Sequence, residues 1–273
     1  MSNYIKFAVQ IIFIILICLL YYSYTPSAAL TIKNNEPQML SYDGAIINNP
    51  LRFPGTAIEN NQWGAKTQGI PVSLSIYDSG WTFNVSEDSE YLPAIYPEII
   101  WGWKPWTEYS TTSELPIEVK DIKGLTIDYS LYTITTGLAH YNQSFDFWIT
   151  RESRPKEVNI QTEIMIWTAS EGPKNPAGGS YGGIFEIEKG FPCEIWIADK
   201  NDPGLALKWN IITFKFVNSV FSGTINLVPY LEETLKRGLI SRVDYLASIE
   251  LGNEIWYGRG QTLVKEFKPN LTR

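Results

Sequence analysis

The chain has 273 residues, 44% of them hydrophobic and 14% aromatic, enough to bury the core of one sizeable domain. Its formal charge of −7 and lack of Lys/Arg clusters exclude a nucleic-acid surface. With one His and two Cys, neither a zinc site with N/S ligands nor an iron–sulfur cluster is available, and no cofactor or metal is expected.

In chain order, Lys6 precedes an apolar run from Phe7 to Leu20, and Ser27-Ala28-Ala29 follows. That order reads as an export signal over residues 1–29, cut after Ala29, or as an uncleaved membrane anchor. The working part is then a single domain over 30–273, secreted or held at the cell surface. Cys18 lies in the apolar run, so Cys193 is alone in the exported part and no internal disulfide forms there. Asn84, Asn142 and Asn270 head glycosylation sequons. The polar stretch Lys33 to Gln38 reads as a tether.

Short β-branched and aromatic segments then recur between Gly, Pro, Asn and Asp clusters: Val72–Ile76, Gly80–Val85, Leu125–Thr133, Phe145–Ile149, Glu194–Ala198, Leu207–Val217 and Leu263–Phe267. Many short strands without βαβ alternation predict an all-β sandwich. Only Asn226 to Leu239 reads as a helix, with Asn226 as cap, Pro229 early, Leu231 and Leu235 on one face, and Gly238 ending it.

The segment Gln161-Thr162-Glu163-Ile164-Met165-Ile166-Trp167 carries the chemistry. Strand alternation puts Ile160, Thr162, Ile164 and Ile166 on a core face, and Gln161, Glu163, Met165 and Trp167 on the other. An acid beside a thioether and an indole suits the floor of a sugar-binding cleft. The inventory excludes rivals: His140 would have to serve any Ser-His-Asp triad, and Gly178-Gly179-Ser180-Tyr181-Gly182 lies in a Gly/Pro-rich loop with no strand-turn-helix around it. Carboxylates with aromatic platforms remain, the equipment for cleaving glycosidic bonds. Of ten Trp, most are expected in the core and three or four along a cleft.

Glu163-Ile164-Met165-Ile166-Trp167 resembles the nucleophile signature of glycoside hydrolase family 12, the compact endo-β-1,4-glucanases, and the resemblance covers most of the chain. Asn60-Asn61-Gln62-Trp63-Gly64 resembles a family motif on a glycone-side strand. Tyr96-Pro97-Glu98 through Lys104-Pro105-Trp106, Phe145-Asp146-Phe147-Trp148 and Ile249-Glu250-Leu251-Gly252-Asn253-Glu254 resemble three others, with Asn253 standing where the family more often has Thr. The resemblance implies a jelly roll of two curved antiparallel sheets with an open cleft and one helix. It also implies a retaining double displacement in which Glu163 is the nucleophile and Glu254 the general acid/base, with Asp146 as helper, hydrogen bonding Glu163 and raising Glu254. Asn61, Trp63, Trp101, Trp103, Met165 and Trp167 would bind substrate. The loop Ser170–Gly183 would cross the cleft. The expected partner is a soluble or amorphous β-1,4-linked polysaccharide, taken by a monomer that meets a membrane only through an uncleaved N-terminus. The competing readings are a non-catalytic carbohydrate-binding jelly roll and a cell-envelope structural protein.

Overall fold

Alternating strands that bury one side chain in two need a second layer, and this chain supplies it by packing two antiparallel-rich sheets face to face. The computed structural model describes residues 39–89, 92–202 and 207–273; the export segment, Cys18 and the Lys33–Gln38 tether lie outside these. Strands are β1 (Ala45–Asn48), β2 (Ala57–Asn60), β3 (Val72–Tyr77), β4 (Gly80–Val85), β5 (Glu98–Gly102), β6 (Ile117–Glu118), β7 (Gly124–Thr135), β8 (His140–Thr150) and β9 (Ile160–Glu171). They continue as β10 (Gly179–Ser180), β11 (Phe185–Glu188), β12 (Phe191–Ala198), β13 (Asn210–Phe216), β14 (Ser222–Asn226), β15 (Tyr245–Gly252) and β16 (Ile255–Thr272).

The outer sheet runs β3-β4-β16-β7-β14 and the inner sheet β1-β2-β5-β15-β8-β9-β13-β12. The long β16 joins them, pairing with β4 and β7 and, at its start, with β8. Between the sheets lies one apolar core, with Phe145, Phe147, Ile149, Ile164, Ile166, Phe214, Ile249 and Leu251 from the inner sheet and Trp81, Phe83, Leu125, Ile127, Tyr129 and Leu131 from the outer. Cys193 is buried in it, its thiol pushed up to about 11 by burial, so it packs as a small hydrophobe.

The expected helix is observed as Val228–Lys236 with Pro229 near its start; Leu231 is buried, and Gly238, at φ 72°, ends the segment. The cap position falls at Leu227 rather than Asn226, which ends β14 and accepts the Val228 N–H on its Oδ1 at 3.2 Å. A short helix, Trp63–Gln68, is added where the sequence reading placed a strand. β2 ends at Asn60, and Gly64 passes so near Pro93 that a Cβ there would sit 1.9 Å from its carbonyl oxygen. A second correction concerns Ile160. A bulge between Ile149 and Thr150 sets Thr150 opposite Ile160, which turns Ile160 out of the main core to pack with Trp148 and Ala247.

Candidate active site

With the core residues of the inner strands spoken for, their alternate residues form the concave face, and register fixes who stands beside whom. Ile100, Glu250, Asp146, Met165, Thr213 and Trp196 make one cross-strand row through β5, β15, β8, β9, β13 and β12. Ser248, Trp148, Glu163 and Ile211 make the row on one side of it, and Glu98, Gly252, Ser144, Trp167 and Lys215 the row on the other. The expected parity of Asp146 with Trp148 and of Glu163 with Met165 and Trp167 is thus observed. Among the described residues, the buried side-chain polar atoms without a protein partner include Glu98 Oε2, Ser144 Oγ, Asp146 Oδ1, Trp167 Nε1 and Thr213 Oγ1, five on this one face. Such groups are costly unless something else satisfies them, and sugar hydroxyls are suited to do so.

Glu163 accepts a hydrogen bond from Trp209 Nε1 at 2.8 Å. Its carboxyl is raised to about 7, by burial first, opposed by the Trp209 bond, with Glu250 raising and Lys104 lowering it. The expected bond from Asp146 is replaced by this indole. Asp146 is buried one row away, and its proton affinity is raised by burial, then by the charges of Glu163 and Glu254.

Glu254 lies in the turn between β15 and β16, held by a residue the sequence reading treated only as a sequon. Asn142 Nδ2 donates to its Oε2, Asn142 Oδ1 accepts from its N–H at 2.9 Å, and its carbonyl accepts from the Asn142 N–H at 3.0 Å. Asn142 is fully buried, which removes it as a glycan acceptor, while Asn84 and Asn270 are exposed. Asn253, the departure from the family pattern, is also buried: its Nδ2 donates to the Asn142 carbonyl at 2.8 Å, and its Oδ1 accepts from Thr262 Oγ1 at 2.8 Å. Burial, then the charge of Glu163, raise Glu254 to about 8 against the Asn142 bond. At neutral pH Glu163 therefore ionises before Glu254.

The aromatic lining differs from expectation. Trp101 pairs with Ile249 and belongs to the core between the sheets, so it is not a platform. Its supposed companion Trp103 lies beyond the end of β5, half-buried, donating from Nε1 to the Thr107 carbonyl at 2.9 Å. Trp63 is 41% exposed at the start of the short helix, where Asn61 Oδ1 accepts its N–H at 3.2 Å. Met165 and Trp167 cluster with Trp256 on the concave face. Three tryptophans that the sequence reading left unassigned, Trp106, Trp148 and Trp209, meet edge to face beside Glu163 with centroids 4.8, 5.5 and 6.0 Å apart. Of the ten, Trp81 and Trp101 are in the main core and Trp148, Trp167 and Trp256 are buried in two smaller apolar clusters, so fewer than expected lie in the main core. The Ser170–Gly183 segment is tied at several places: Lys174 Nζ donates to the Ser89 carbonyl at 2.6 Å, Lys215 Nζ donates to Asn175 Oδ1 at 2.9 Å, and Gly179–Ser180 pairs with β12.

Comparison with known proteins agrees with this geometry. The model of glycosyl hydrolase family 12 matches residues 54–271. Endoglucanase S of Pectobacterium parmentieri is 27% identical over 219 residues, 77% of this chain and 79% of that protein. A family 12 xyloglucanase from Bacillus licheniformis has the same fold at a TM-score of 0.73 and 24% identity, covering 86% of this chain and 100% of its own. An endoglucanase from Rhodothermus marinus matches at 0.71 and 22%, covering 86% of this chain and 99% of its own. This chain belongs to glycosyl hydrolase family 12.

Proposed function

We propose that this glycoside hydrolase is an endo-β-1,4-glucanase that cleaves internal bonds with retention, Glu163 attacking the anomeric carbon and Glu254 protonating the leaving oxygen. The observation that carries the reading is the way two half-buried glutamates are held: Trp209 Nε1 bonds one oxygen of Glu163 at 2.8 Å, Asn142 bonds Glu254 through its side chain, and the charge of Glu163 favours the protonated form of Glu254, so that Glu163 ionises first. A nucleophile must be charged while its acid partner holds a proton, and this order suits those roles. The Trp209 N–H stabilises the charged form of Glu163 and fixes one of its oxygens, leaving the other for attack. Asn142 orients Glu254. In the first step the bond to the leaving oxygen breaks as the Glu163 ester forms and the Glu254 proton moves to that oxygen. In the second, Glu254 takes a proton from water, which releases the sugar and restores Glu163.

Asp146, opposite Glu250 and Met165, is driven toward its protonated form by burial and by the charges of Glu163 and Glu254, and assists as a neighbouring carboxyl without bonding Glu163 directly. Trp106, Trp148 and Trp209 cover sugar faces on the Glu163 side, with Trp63 further along the cleft and Met165 and Trp167 in its floor. The apolar N-terminal run supports action outside the cytoplasm.

Reducing ends released from soluble β-1,4-glucan, mixed-linkage glucan, xyloglucan and xylan, with proton NMR of the first product, test the reading. Internal cleavage of β-1,4-glucan with the β-anomer first is expected. Binding without turnover would favour a carbohydrate-binding protein, and the α-anomer first would mean an inverting enzyme.

A further inference from the structure

Beside the two-glutamate site lies a buried ionic cluster with no part in the steps above. Lys104, just after β5, is 4% exposed. Its ammonium is 2.8 Å from Glu59 Oε2 and 3.7 Å from Glu250 Oε2, and it donates directly to Glu98. The three carboxylates come from adjacent strands, β2, β5 and β15, with Glu59 opposite Glu98 and Ile100 opposite Glu250. Glu250 in turn stands directly opposite Asp146 on β8.

A structural staple needs one carboxylate per ammonium, since each further buried charge adds a desolvation cost of several kcal/mol. Here three share one cation, Asp146 adjoins as a fourth, and Glu98 Oε2 and Asp146 Oδ1 lack protein partners. The array carries more carboxyl groups than Lys104 can neutralise, and it runs to the floor of the cleft.

We propose that Lys104 is a positioning residue for glycoside cleavage, acting through Glu250 to keep the carboxylates around Asp146 and Glu163 in the charge state that lets Glu163 attack. The inference rests on Glu163 being the nucleophile. After burial and the Trp209 bond, the remaining influences on Glu163 are Glu250, which favours its protonated form, and Lys104, which favours its charged form. The other charged or titratable groups toward this part of the face are Asp146 on β8, Glu98 on β5, Glu59 on β2, Lys215 on β13, Glu194 on β12, Glu254 in the turn, and buried Tyr96, whose hydroxyl donates to the Ser144 carbonyl at 3.5 Å. Lys104 is the cation bound to three carboxylates among these, so its removal leaves them unbalanced.

The test is the pH profile of kcat/KM for Lys104→Met, Lys104→Arg and Glu250→Gln in the full chain. Lys104→Met should move the acidic limb up by about one pH unit, cutting activity on that limb about tenfold. Lys104→Arg should restore the position of the limb, and Glu250→Gln should move it down. Opposite displacements from two neutralising substitutions in one ion cluster do not arise from lost stability. A limb that stays put in both variants, or moves the same way in both, would overturn the proposal and leave a structural clamp. Should Lys104→Met fail to fold, Glu59→Gln at the half-buried end of the cluster carries the test: the limb must move down, and an unmoved limb overturns the proposal. An unmoved limb with Glu163→Gln inactive defeats this inference alone, whereas a fully active Glu163→Gln defeats the underlying assignment.

Discussion

The two faces of the inner sheet are built from the same strands, yet they differ in every physical respect. Toward the outer sheet, β8 presents Phe145, Phe147 and Ile149, β9 presents Ile164 and Ile166, and β15 presents Ile249 and Leu251, all fully buried in one apolar core. One residue along each strand, the concave face presents Asp146, Glu163 and Glu250 with indoles and unpartnered polar atoms. The first face supplies the stability that holds the second in a costly arrangement. Substitutions on the two faces should therefore fail differently: on the core face by unfolding, on the concave face by losing rate.

The largest expected separation is at the glutamates. Glu163→Gln and Glu254→Gln should each lower kcat about 10³-fold or more, with circular dichroism unchanged. Retention of more than about a tenth of the activity would remove that residue from its role. Both carboxyls have folded-state values raised above the unfolded value of about 4.3, so the folded state binds their protons more tightly and stability falls as pH rises from there through about 7 to 8. Wild type should accordingly melt lower at pH 8.5 than at 5.5. Glu254→Gln should flatten that slope, and thermal melts across the range check the sign.

Two tryptophans sharpen the comparison further. Trp101→Ala should cost about 3–5 kcal/mol of stability by opening a cavity in the core, and leave the activity of each folded molecule intact. Trp63→Ala should keep the melting temperature and lose about 1–3 kcal/mol of transition-state stabilisation on long glucans, a range taken from base–aromatic stacking. Denaturant titration alongside kcat/KM on both variants separates the two; an exchange of these phenotypes would reverse the placement of the cleft.

A smaller effect is expected at Asp146. Asp146→Asn removes a titratable carboxyl that interacts with Glu163 and Glu254, so the acidic limb shifts, with a loss of about 10- to 100-fold. Full activity with an unmoved limb would take Asp146 out of the site.

Period-two alternation made much of this legible in the sequence: it separates Glu163, Met165 and Trp167 from Ile164 and Ile166, and Asp146 from Phe145 and Phe147. The helix start near Asn226 and Pro229 was also readable from local chemistry. What escaped depends on register between distant strands. Trp101 becomes core because it pairs with Ile249, and Ile160 leaves the core because of a bulge on its partner pair. Asn142 and Trp209 reach Glu254 and Glu163 across separations of 112 and 46 residues. No local pattern marks such partners. Glu98, Lys104 and Glu250 of the buried cluster were in quoted motifs and Glu59 just before one, but nothing in a motif says that these four charged groups converge from three segments.

The assignment of Glu163 as a covalent nucleophile is tested most directly by trapping. Incubation with an activated 2-deoxy-2-fluoro-cellobioside, followed by mass spectrometry of the intact protein and its peptides, should show one added fluoro-sugar esterified to Glu163. An adduct on Asp146 or another carboxylate, or no adduct together with an α-anomer as first product, would contradict the account.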